Sequence, residues 1–119
     1  KDAAGANSVA MEYVANGSAK AWVRFDQTGT LTVNDSFNQS SMSDNGTADA
    51  TLTLSSAMSN ANYSFSGCSG AGAGGTGANF VAPKTNDPTT TALRMGGLTH
   101  QNTYSDRRCN GWAIFGDLA

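Results

Sequence analysis

Short runs in which apolar and polar side chains alternate recur along this chain, each bounded by a turn signal, while helical spacing is nearly absent. Period-2 alternation puts successive side chains on opposite faces of a strand, so it constrains the chain to half-buried β-structure. Ala19 to Phe25 (AKAWVRF) sets Ala21, Val23 and Phe25 against Lys20, Trp22 and Arg24. Val23 and Phe25 are therefore expected in the core, with Trp22 facing solvent or a neighbour. Thr30 to Val33, Ser36 to Ser43, Thr51 to Leu54, Asn62 to Ser66, Asn79 to Ala82, Thr89 to Met95 and Gly111 to Phe115 follow the same rule. Asp44-Asn45-Gly46-Thr47 is a turn signal between two of them. Val9 to Val14 also alternates, and Asn16-Gly17 after it suits a two-residue hairpin, so a first strand is expected there. The alternative is a helix capped at Ser8 and stopped at Asn16-Gly17, which the alanines permit. Strands this short and this numerous indicate an all-β domain, an antiparallel β-sandwich or jelly-roll-like fold.

Composition narrows the reading. Leu, Ile, Val and Phe make up only 17 of 119 residues, whereas Gly, Ser, Thr and Asn make up 51. Such a stock suits disorder, but the net charge is −2 and charged residues are 13%, so the repulsion that holds disordered chains open is missing. The apolar shortage instead leads us to expect burial between identical copies, since small domains bury proportionally little surface alone. One domain over residues 1–119 is expected at this length. Lys1 in place of Met reads as a chain excised from something longer. Seven scattered Lys and Arg with a pI near 5.0 disfavour a nucleic-acid partner. No apolar run approaches the roughly 20 residues that span a membrane, so no membrane insertion is expected.

Sequence motifs for chemistry are weak. Gly72-Ala73-Gly74-Gly75-Thr76-Gly77 matches G-x-G-x-x-G, but no helix start follows it to aim at a pyrophosphate. We read it as a loop between strands. Asn-x-Ser/Thr triplets begin at Asn16, Asn34, Asn38, Asn45 and Asn62, as chance provides in so polar a chain. His100 is the only histidine, no serine sits in a Gly-x-Ser-x-Gly elbow, and Asp26, Asp35, Asp44 and Asp49 fall mostly at turn positions. The expectation is therefore no enzyme, no catalytic residues, no cofactor and no metal. Cys68 and Cys109 are too few for a zinc site or a disulfide scaffold. They either pair, closing a loop worth about 4 kcal/mol at most, or remain two thiols in a reducing compartment.

The densest polar stretch is Thr99 to Arg108 (THQNTYSDRR), with the sole histidine, an aromatic and the only adjacent arginines. Tyr and Arg are favoured at recognition surfaces, and a guanidinium binds two oxygens of an acidic group at once. His100, Tyr104, Asp106, Arg107 and Arg108 are the candidate receptor contacts. The structural alternative pairs the arginines with Asp106 or Asp117 and packs Tyr104 across a strand.

Residues 19–63 (AKAWVRFDQTGTLTVNDSFNQSSMSDNGTADATLTLSSAMSNANY) also carry a resemblance. They resemble a recurrent module of tailed-bacteriophage fibre proteins, in which A-K-A-W-V-x-F precedes D-S-F-N-x-S-S, D-N-G-T and A-M-x-x-A-N-Y. The matching positions are Ala19 to Val23 and Phe25, Asp35 to Asn38, Ser40, Ser41, Asp44 to Thr47, Ala57, Met58 and Ala61 to Tyr63. Residues 64–119 share only the general look of a fibre tip. What the resemblance implies is a virion structural protein, a homotrimeric tail or head fibre assembled in the host cytoplasm. Its expected partners are its own copies, other virion proteins and a host-surface glycan or protein. The alternative is a purely structural trimerisation or capsid-decoration domain.

Overall fold

The computed structural model describes residues 10–70, 78–84, 88–99 and 103–119. The chain is mostly β and antiparallel. Among the described residues one helix, α1 (Met11–Gly17), precedes β1 (Ala19–Asp26), β2 (Thr32–Phe37), β3 (Gln39–Gly46), β4 (Asp49–Leu54), β5 (Ser64–Gly70), β6 (Ala78–Pro83), β7 (Ala92–Thr99) and β8 (Cys109–Phe115). The eight strands form one antiparallel ladder in the order β2-β1-β8-β5-β6-β7-β4-β3. Its two edge strands, β2 and β3, are consecutive in the chain and joined by Asn38 alone. A one-residue link between opposite edges requires the ladder to double over, so its two halves face each other as in a sandwich.

Asn38 makes that corner. Its φ of 54° lies in the left-handed region, where Asn is tolerated better than most residues. Its Nδ2 donates to Lys20 O at 3.0 Å and Ser56 O at 3.1 Å, and its Oδ1 accepts from Ser56 N at 2.6 Å. The side chain thus ties β1 to the segment after β4. The expected run from Ser36 to Ser43 is therefore two strands that belong to opposite edges.

The core lies between the halves. Ala21, Val23 and Phe25 of β1 and Trp112 and Ile114 of β8 pack with Ala50, Leu52 and Leu54 of β4 and Leu93 and Met95 of β7. Phe25 and Trp112 meet edge to face, with ring centroids 4.9 Å apart. Trp112 fits because its partner on β5 is Gly67, where an added Cβ would stand 2.8 Å from the indole. At one end of the core, buried Gln27 donates to Asp49 O, Gly46 O and Asp44 Oδ1. Buried Asn110 accepts from Ser69 Oγ and donates to Phe25 O and Arg107 O. At the other end, Met58 and Leu118 bridge, and Tyr63 donates to Thr89 O and Ala92 O. Asp49 is gripped by Arg94 at 2.8 and 2.7 Å. Arg94 holds its carboxyl below the ordinary range, and burial raises the Tyr63 phenol.

The start of the chain corrects the sequence expectation. Met11–Gly17 is a helix, not the strand expected over Val9 to Val14, and Asn16-Gly17 ends it rather than turning a hairpin. Ala, Met and Glu favour helix, Glu12 lies in its positive first turn, and no neighbouring strand offers this segment a ladder. The helix buries none of its residues, and Met11, Tyr13 and Val14 stand exposed. Among the described residues no helix is long and apolar enough to cross a membrane.

Candidate functional site

The alternation that drives Ala21, Val23 and Phe25 inward turns Trp22 and Arg24 out. Strand register then sets their neighbours. Across β2, β1, β8 and β5 one row reads Phe37, Trp22, Ala113 and Ser66, and the next reads Asp35, Arg24, Gly111 and Cys68. Large aromatics on β1 and β2 therefore stand beside small side chains on β8 and β5. The result is a groove of about 530 Å³ lined by Trp22, Arg24, Ser66, Cys68, Gly111 and Ala113, among others. Trp22 is 37% exposed and Phe37 53%, on the outer surface of a ladder that seals its core on the other side.

Among the described residues, Arg24 is the one charged residue lining the groove. Its guanidinium donates to Cys109 Sγ at 2.9 Å, a weak acceptor. Asp35, opposite on β2, flanks Arg24 on the side away from the groove and accepts from Ser36 N. Asp26 accepts from the Thr28 hydroxyl and amide, and these bonds, with Arg108 and Arg24 nearby, lower its carboxyl. Cys68 and Cys109 are both free. They occupy diagonal positions on β5 and β8, Cys68 opposite Gly111 and Cys109 opposite Gly70, so the bridge considered from sequence is not formed.

The residues singled out in the polar stretch lie along one segment but have different neighbours. Tyr104 bridges to Leu98, and Lys84 Nζ stands 3.2 Å from its ring centroid. Asp106 accepts from Ala48 N at 2.6 Å, holding a residue whose φ is 50°. Arg107 uses its carbonyl to accept from Gln27 N and Asn110 Nδ2. Arg108 reaches Asp26 at 3.8 Å, neither Asp106 nor Asp117. His100 and the Gly72–Gly77 motif lie outside the described residues. Among the described residues no group of three or more His, Cys, Asp or Glu could hold a metal.

The groove was not anticipated. Its one signal in the sequence was an aromatic on the polar side of an alternating run, Trp22 between Ala21 and Val23. The small residues that open the groove come from β5 and β8, more than 40 positions away in the chain. Comparison with known protein families, with curated proteins and with solved structures found no match for this chain.

Proposed function

We propose that this chain is a trimeric fibre module of a tailed-bacteriophage virion, and that it attaches the particle to a component of the host surface. The observation that carries attachment is the outward pair Trp22 and Phe37 beside an open groove. Apolar surface left uncovered next to a few fixed polar groups is characteristic of binding sites. The fibre reading is supported by where the residues of the resemblance fall. Ala21, Val23, Phe25 and Met58 are core, Asn38 is the corner, Asp44 turns the β3–β4 hairpin through Gly46 N, and Tyr63 ties β5 to the approach to β7. Several of the shared positions thus close the fold, while Trp22 and Phe37, also shared, face outward. In this reading the chain is no enzyme, and its thiols suit assembly in a reducing cytoplasm.

The test uses the labelled chain on a panel of bacterial strains, with mass measured by light scattering. Saturable binding to some strains and a mass of about 37 kDa, three times 12.2 kDa, is expected. Binding to no strain removes the attachment role. A trimer without cell binding selects the purely structural alternative, which α1 favours. The α1 segment is a seven-residue helix that buries nothing, below the roughly 12–15 residues that are even marginal alone, and a further copy or virion protein would give it a surface to pack on.

A further inference from the structure

We propose that the groove beside Trp22 is a subsite for a carboxylate-bearing saccharide, with a pyranose ring against the indole and its carboxylate on Arg24. The inference deepens the attachment reading and rests on it. Three features of the groove point to this ligand class.

First, its volume of about 530 Å³ lies within the roughly 300–1,000 Å³ range of small-molecule sites. Second, its emptiness is not imposed by packing. Gly67 must be glycine because a Cβ would meet Trp112 at 2.8 Å, but a Cβ at Gly111 would meet only Cys68 Sγ, at 4.0 Å. Position 111 could carry a side chain, and strands favour larger residues. Glycine there keeps open the floor between Arg24 and Cys68. Third, the charge has one sign. Among the described residues Arg24 is the only charged one lining the groove; it donates to Cys109 Sγ, and Asp35 and Asp26 stand outside the lining. A guanidinium beside an exposed indole matches a ligand with an apolar C–H face next to a carboxylate.

The full chain is titrated with tetragalacturonate and with a sialic-acid tetramer, each against its neutral methyl ester, while the Trp22 indole N–H resonance is followed. At least one acidic tetramer should bind saturably and shift that resonance, and its ester should bind roughly tenfold more weakly. Trp22→Ala should weaken binding at least about tenfold. Arg24→Gln should bring acid and ester to similar affinity, and rising salt should weaken only the acid. Gly111→Val should fill the floor and abolish binding with melting unchanged. Should Gly111→Val fail to fold, the Arg24→Gln comparison still decides. The proposal is overturned if neither acid binds at roughly 10 mM, if acid and ester bind alike to the unsubstituted chain, or if Trp22→Ala binds normally. It is also overturned if the Trp22 signal shifts with protein concentration alone, which would assign the face to a second copy. If Trp22→Ala still binds cells, the subsite falls and attachment stands. If the unsubstituted chain binds an acidic tetramer but no cells, attachment falls and the subsite stands.

Discussion

Replacing Asn38 tests the corner on which the doubled ladder depends. The side chain makes three hydrogen bonds, two as donor to Lys20 O and Ser56 O and one as acceptor from Ser56 N. At a net value of about 1 kcal/mol each, their loss should cost about 3 kcal/mol. Backbone conformation adds a separable amount. With φ at 54°, a residue bearing a Cβ but no local hydrogen bond incurs about 1–2 kcal/mol, and glycine does not. Asn38→Gly should therefore lose about 3 kcal/mol and Asn38→Ala about 4–5. Asn38→Asp keeps the acceptor for Ser56 N but turns a carboxylate oxygen toward Lys20 O and Ser56 O, so it should lose more than the about 2 kcal/mol of the two missing donors. Against a typical domain stability of about 5–15 kcal/mol these losses are large. Urea unfolding followed by the fluorescence of buried Trp112 gives the three values. Losses below about 0.5 kcal/mol in both the Gly and Ala variants would show that the corner is not held by this side chain. An Ala variant no worse than the Gly variant would remove the backbone part of the reasoning.

Other perturbations bear on other parts of the molecule. Arg94 depresses the Asp49 carboxyl, so the stability this pair contributes is fully present above about pH 4 and is lost as pH falls through the lowered folded value. Melting temperature should fall across that acid range, and Asp49→Asn, though less stable at neutral pH, should fall less steeply; identical slopes would exclude Asp49 as a source. Gly96→Ala should cost about 1–3 kcal/mol in urea unfolding, because its Cβ would stand 2.6 Å from Ala48 O, and a neutral result would contradict that close approach. Met58→Ala should cost about 2–5 kcal/mol, since Met58 is buried where residues 57–59 meet the chain end through Ser59 N to Asp117 O and Ala119 N to Ala57 O. A loss below about 1 kcal/mol would mean that the site collapses around the cavity. Thiol titration of the unfolded, non-reduced chain should find two free cysteines, and exposed Cys68 should react before Cys109 in the folded chain; none free would mean a bridge.

The sequence by itself determined the strands and which way their side chains point, because alternation is a local property of extended backbone. Ala21, Val23 and Phe25 inward and Trp22 outward follow from seven consecutive residues, whereas the turn signal at Asp44 to Thr47 lies mostly within β3, the turn itself falling at Thr47 and Ala48. Tertiary structure decided what has no local cause. Met11–Gly17 is helical and pairs with no strand among the described residues, although the same letters alternate well enough for a strand. The run from Ser36 to Ser43 breaks at Asn38 because its two halves join opposite edges of the ladder, which alternation across Phe37 and Met42 cannot reveal. The groove exists only because register sets Trp22 beside Ala113 and Arg24 beside Gly111. Asp106, read as a recognition residue, instead holds Ala48, 58 positions away. Partner choice between strands depends on contacts distant in the chain, where the whole set of pairings competes at once. The strands were legible one by one, but the site between them was not.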